Sequence, residues 1–352
     1  MKLLNVFFIV FLIVSFVVSC GNDKASDADN DSIISDQDNN EPVDGEDDAD
    51  LISDDETEGD IEENNDEDNV LPVFRGECPL DKKLGTFSVR TLEQYPIVNG
   101  TVFDKVHPVS ILTEVKKEDR CSLLKKENPV CEPNCNSEQV CDLSGKCIDR
   151  PVSLNVGTVK LKGLLQNISM EPVQPGNKYF DTTMEEMPPY KIGNKITLTS
   201  IGGSYTPIKL FGAGIELLSL KTQSILIKQG TDLIIEWDKP LKELGTNIYV
   251  KINIDQHGAS PVSLFCIFDD TGLASIPKTI LEELLNSGVS GYPNGLITRK
   301  TADSMDFESG CIDFEVSAPK ELSIKVDGVT PCKKDEDCPD GQTCNLEIEI
   351  CE

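Results

Sequence analysis

Two cysteine clusters constrain this chain more than any other feature. One reads "CEPNCNSEQVCDLSGKC" (Cys131, Cys135, Cys141, Cys147). The other, near the end of the sequence, reads "CKKDEDCPDGQTCNLEIEIC" (Cys332, Cys338, Cys344, Cys351). The last three cysteines of each are spaced almost alike, by five and five residues in the first and five and six in the second. Four cysteines within about 20 residues either hold zinc as thiolates or close as two disulfides, and the redox compartment decides between them. Neither cluster has a histidine beside it. The chain's 2 histidines, His107 and His257, lie elsewhere.

The compartment is written at the N-terminus. Lys2 leads into "LLNVFFIVFLIVSFVVS", an apolar run that stops at Cys20. Residues 1–19 read as a signal peptide. The run is short for a membrane span, and the acidic segment after it is no stop-transfer signal. The stretch "VVSC" resembles the bacterial lipobox. That resemblance implies diacylglycerol and palmitate on Cys20, and Gly21, standing where aspartate would retain the protein at the inner membrane, implies the outer membrane. Removing Cys20 from the 13 cysteines leaves an even number, which suits an oxidised, exported chain. Pairing first with third and second with fourth gives Cys131–Cys141, Cys135–Cys147, Cys332–Cys344 and Cys338–Cys351, one of three pairings each cluster allows. Sequence order then suggests Cys78–Cys121 and Cys266–Cys311.

Residues 20–70 form the next unit. Positions 21 to 70 hold 22 Asp or Glu against one Lys, most of the whole chain's net charge of −30. With no aromatics and few aliphatics, such a segment cannot bury a core and is expected to be a disordered, self-repelling tether. As a coil it spans roughly 40 Å, and charge extends it further. Its acidity also resembles a surface-export signal. Within it, Asp27, Asp29, Asp31 and Asp38 match acidic positions of an EF-hand loop, which makes weak Ca2+ binding a candidate role. Ser32 occupies the turn-glycine position, however, and loose counterion condensation is the expected behaviour.

The body reads as mainly β. "TNIYVKINID" alternates with period two, and "VSLFCIF", "DLIIEW", "KITLTSI", "TVKLKGL" and "CIDFEV" are short runs bounded by turn residues. This pattern predicts an antiparallel β-sandwich or jelly roll with one short helix, "SIPKTILEELLNSG". Ser275 is expected to cap that helix, Pro277 to sit in its first turn, and Ile280, Leu281, Leu284 and Leu285 to share a face. The expected plan is a small β unit over 71–120, a cysteine knot over 121–150, a β-sandwich over 151–328 and a second knot over 329–352. "CSLLKKENPVCEPNC", "VGTVKLKGL" and "GCIDFEVSA" resemble a group of Gram-negative outer-membrane lipoproteins to which no activity is assigned. The terminal knot resembles short cysteine-rich modules of exported surface proteins and, more loosely, an EGF-like half-domain.

Catalytic motifs are sparse. Asp270-Thr271-Gly272 resembles the aspartic-protease triplet, but that chemistry needs two carboxylates sharing a proton and no second Asp-Thr/Ser-Gly occurs. As a turn residue, Asp270 is expected to tolerate substitution by Asn. "DQHGAS" places Asp255, His257 and Ser260 close in sequence, where a hairpin turn explains them. So acidic a chain excludes nucleic acid as a partner. Trp237 is in phase with Leu233 and Ile235 and is expected in the core, and Tyr292 in "SGYPNG" is the candidate exposed ring. The expectation is a lipid-anchored envelope protein that binds a protein or glycan ligand. The alternatives are a structural envelope component and an exported hydrolase using Asp270 or His257.

Overall fold

The computed structural model describes residues 70–108, 111–203, 205–255 and 261–352. Cys20, the aspartates of the tether, and His257 and Ser260 of the "DQHGAS" loop lie outside the described residues.

Strands β1 (Lys83–Thr91) and β2 (Pro96–Val102) form one hairpin, and β3 (Leu112–Glu118) with β4 (Cys121–Lys126) another. The first knot carries β5 (Gln139–Cys141) and β6 (Cys147–Asp149). Next come β7 (Val159–Lys162), β8 (Ile168–Met170), β9 (Tyr179–Asp181), β10 (Lys195–Ser200) and β11 (Lys209–Ala213). β12 (Ser224–Ile227), β13 (Leu233–Glu236), β14 (Asn247–Asn253), β15 (Val262–Asp269) and β16 (Leu273–Ile276) lead to α1 (Lys278–Asn286). The long hairpin of β17 (Asn294–Phe307) and β18 (Gly310–Val326) follows, and β19 (Cys344–Asn345) and β20 (Ile350–Cys351) close the second knot.

The fold is mainly β with one α-helix among the described residues. A ten-stranded sheet runs β3-β4-β15-β14-β17-β18-β1-β2-β9, with β12 joining on β18. Two of its pairings depart from the expected antiparallel pattern. β1 runs parallel to the first half of β18 and β12 parallel to its last residues, so one long strand serves two neighbours on the same edge. The four-stranded sheet β11-β10-β7-β8 packs over the β1–β18 end, and Gly212 permits the approach, since a Cβ there would meet Val316 at 2.5 Å. β13, β16 and α1 cover the other end. Two cores result. One gathers around Trp237, Ile248, Val250, Leu264 and the helix residues Ile280, Leu281 and Leu284. The other gathers around Phe87, Val98, Leu161, Leu198 and Phe314. The sandwich expectation holds in this two-layer form.

The strands expected to stand alone as a small unit over 71–120 instead belong to the ten-stranded sheet, β1 and β2 at one end and β3 at the other. The first knot is likewise shorter than 121–150, because β4 pairs with β15. The helix has a different cap from the expected one. Ser275 lies in β16 opposite Ile234, and the Lys278 N–H donates to Asp232 Oδ1 at 2.8 Å. Asp232 comes from the loop before β13, so no local motif announces it.

All twelve described cysteines are joined in six disulfides. Within the knots they are Cys131–Cys141, Cys135–Cys147, Cys332–Cys344 and Cys338–Cys351, as expected. The other four correct the sequence-order pairing. The bonds are Cys78–Cys311 and Cys121–Cys266. Sheet adjacency sets the partners, since Cys121 and Cys266 are directly opposite on neighbouring strands. Cys78 meets Cys311 because the segment leading into β1 runs beside β17 and β18. Along that segment Gly76 N–H donates to Ala302 O at 3.1 Å, and Arg75 grips Asp303 through Nε (2.8 Å) and Nη2 (2.9 Å).

Candidate functional site

Side chains alternate across a strand, so β1 and β2 turn Phe87, Val98 and Val102 into the core and present Thr86, Asn99 and Thr101 on the opposite face. Register brings Ser88, Asn99 and Phe180 into one cross-strand row and Thr86 and Thr101 into the next. Phe103 continues the same side of the chain beyond β2. Thr86, Asn99, Thr101, Phe103 and Phe180 line a groove of about 570 Å³, bounded further by Lys83, His107 and Lys178. That volume lies within the roughly 300–1,000 Å³ of small-molecule sites.

The polar groups of the groove are arranged by their neighbours. Ser88 Oγ donates to Asn99 Oδ1 at 2.7 Å, which leaves the amide's NH2 as its donating end. Thr101 Oγ1 donates to Gly100 O at 2.8 Å and so faces any ligand as an acceptor. His107 stands edge-on to the Phe103 ring, with centroids 6.2 Å apart. Its Nδ1 is buried and, among the described residues, has no hydrogen-bond partner, a state that is rare for a polar atom. Burial, and secondarily the charge of Arg150, hold the imidazole below its ordinary pKa. Among the described lining residues three are basic and none is a carboxylate. In a chain with 62 acidic residues against 32 Lys and Arg, that lining runs against the average charge.

Beside the groove, on the same face of the sheet, lies a buried charged cluster that Lys83 shares. Lys83 Nζ is 2.5 Å from Asp313 Oδ2, an ion contact and not an aligned hydrogen bond, and 3.9 Å from Glu315. Lys300 makes its closest contact with Glu77, lies 3.4 Å from Glu315, and stands 3.8 Å from the centre of the Tyr249 ring. Burial works to raise the Glu77 carboxyl, but Lys300 and then Lys83 outweigh it and hold the group below its ordinary value. Glu315 goes the other way, raised by burial and by the neighbouring Glu77 against the pull of Lys300. Burial also raises Asp313, with Lys83 opposing. The Cys78 N–H donates to Asp313 Oδ1 at 2.6 Å, which ties this cluster to the entering chain.

Asp270, the catalytic candidate among the described residues, does not line the groove. Asp270 is a buried structural anion. Its carboxylate accepts from Arg299 Nε (2.6 Å) and Nη2 (3.1 Å), Trp237 Nε1 (2.7 Å) and Thr246 Oγ1 (2.8 Å). The exposed-turn expectation for Asp270 is therefore overturned: the β15–β16 turn folds its side chain inward onto β17. Trp237 is fully buried, as expected, and the Tyr292 ring is exposed with Lys333 Nζ 5.3 Å from its centre. Tyr292 borders a separate cleft of about 500 Å³ beside the second knot. The residues that sequence reasoning missed had a faint signal. Asp313 and Glu315 alternate with Ile312 and Phe314 in "GCIDFEVS", so they define a second, charged face of a strand that reads first as core.

No protein-family model matches the chain, and no curated protein is similar enough to count as a match. No helix among the described residues is long and apolar enough to cross a membrane.

Proposed function

We propose that this chain is a lipid-anchored binding module of the bacterial envelope, held at the outer membrane through Cys20 and capturing its ligand in the groove on β1, β2 and β9. The groove carries the reading. It is of ligand size, and it combines two phenyl rings with the donating NH2 of Asn99, the Thr86 and Thr101 hydroxyls and the exposed Lys178. The disulfide framework suits export to an oxidising compartment. Asp270, with its oxygens already occupied by four donors, has no free lone-pair direction for a proton-shuttling role, which favours binding over hydrolysis.

Two measurements test this. Mature protein on beads is presented to immobilised oligosaccharides and peptides, with Phe180→Ala and Asn99→Ala alongside the wild type. Loss of capture at unchanged melting temperature is expected, and capture that survives both changes moves the binding site elsewhere. Separately, Cys20→Ala should block palmitate labelling and leave an uncut precursor. Normal processing of that variant would remove the anchor from the reading.

A further inference from the structure

We propose that the groove on β1, β2 and β9 binds a saccharide that bears a carboxylate. The inference rests on the groove being the binding site and adds the chemistry of its occupant. The floor carries short polar side chains in two cross-strand rows amid apolar surface, with Thr86 directly opposite Thr101 and Asn99 two residues before Thr101 on β2. Amides and hydroxyls side by side offer donors and acceptors to vicinal hydroxyl groups. Phe180, half exposed, and Phe103 supply apolar ring surface at the margins, which suits the C–H faces of a pyranose.

Other occupants fit less well. A peptide binding by strand addition would use the free edge of β9, the last strand of its sheet, whereas the polar groups of the groove project from the sheet face. A lipid tail would cover the Asn99 amide and the Thr86 hydroxyl without giving them hydrogen-bond partners. The charge of the ligand follows from the walls. Lys178, on the approach to β9, is exposed and forms no ion pair among the described residues, unlike Lys83, which Asp313 and Glu315 already balance. With Lys178 free of an ion pair among the described residues and no lining carboxylate, a carboxylate on the sugar is favoured over a second neutral substituent.

Isothermal titration of the mature chain with a trigalacturonate and with a neutral glucose trimer of equal length separates the possibilities. The acidic trimer should bind about tenfold tighter, the scale of one charge-assisted contact. Lys178→Gln should bring the two within about twofold, and Phe180→Ala should weaken both about tenfold. Neither change should move the melting temperature, because neither side chain is in a core. Equal affinities, or a preference that persists in Lys178→Gln, overturn the acidic class. If neither trimer binds while the groove variants still lose bead capture, the saccharide falls and the binding groove stands. If the groove variants leave capture unaltered, both fall.

Discussion

Asp270 shows how much one carboxylate can hold. It neutralises Arg299, which is 1% exposed, and also satisfies the indole of Trp237 and the hydroxyl of Thr246. Asp270→Asn leaves a buried guanidinium without its counter-charge, and such breaks cost about 3–5 kcal/mol. The midpoint of denaturant unfolding should fall accordingly, while the pair Asp270→Leu with Arg299→Met should cost less than Asp270→Asn alone. A single substitution that melts like the wild type would return Asp270 to an ordinary turn. The Glu77–Glu315 pair gives a prediction of opposite signs. Glu77 is depressed in the fold, so its stabilising effect is present above the ordinary carboxylate range and is lost as pH falls through its folded value. Glu77→Gln should therefore destabilise by about 1–3 kcal/mol at pH 7, with the deficit narrowing as pH is lowered through the carboxylate range. Glu315 is raised, so its ionised form is the disfavoured one, and Glu315→Gln should be neutral or stabilising at pH 7. Denaturant titrations of both variants at pH 7 and pH 4 decide the matter. Equal losses at pH 7 would refute the assignment.

At the scale of elements, the disulfides divide into two kinds. Those within the knots close 10 to 13 residues, whereas Cys121–Cys266 spans 145 and Cys78–Cys311 spans 233. Taken alone, chain-entropy reasoning assigns about 3 kcal/mol to the short loops and about 5 kcal/mol to the longest. Replacing Cys78 and Cys311 by serine should thus lower the melting temperature more than opening either pair of one knot, as scanning calorimetry can check. Gly291 is a second element-scale hinge. Its N–H donates to Ile348 O at 2.8 Å, and a Cβ there would meet Glu349 O at 2.0 Å. Gly291→Ala should undock the terminal knot while leaving it oxidised. Limited proteolysis should then release residues beyond β18 first, and an unaltered digest would show that the knot does not depend on this contact. The local closure of each knot was legible because its four cysteines fall within about 20 residues, although spacing left three pairings open, and the helix face was legible from its period. The long-range bonds were not, because Cys266 meets Cys121 only after β15 has found β4, and no spacing encodes which strands become neighbours. The groove was hidden for the same reason. Asn99 and Phe103 lie on β2 and its continuation and Phe180 on the distant β9, and each reads alone as an ordinary strand or loop residue.

For the whole molecule, the long hairpin of β17 and β18 is what unites two cores. Ile297, Leu322 and Ile324 serve one, while Ile312, Phe314 and Val316 serve the other. Because both strands are buried on two faces through their middle, charged residues there needed partners, and Arg299, Lys300, Asp303 and Asp313 each have one. The entering chain supplies two of those partners, Arg75 and Glu77, immediately before it is bonded to Cys311. A mechanical consequence follows. Tension applied from the N-terminal side first meets the Arg75–Asp303 grip. Once that yields, the load passes through the Cys78–Cys311 bond directly into β18, bypassing the hydrogen bonds of every intervening strand. The chain between those sulfurs, a sequence separation of 233, is shielded from extension for as long as the bond is intact. Pulled in an oxidising medium, the protein should resist as a short, stiff object. A reductant should release roughly 800 Å of hidden length, which single-molecule force spectroscopy would register as a late lengthening.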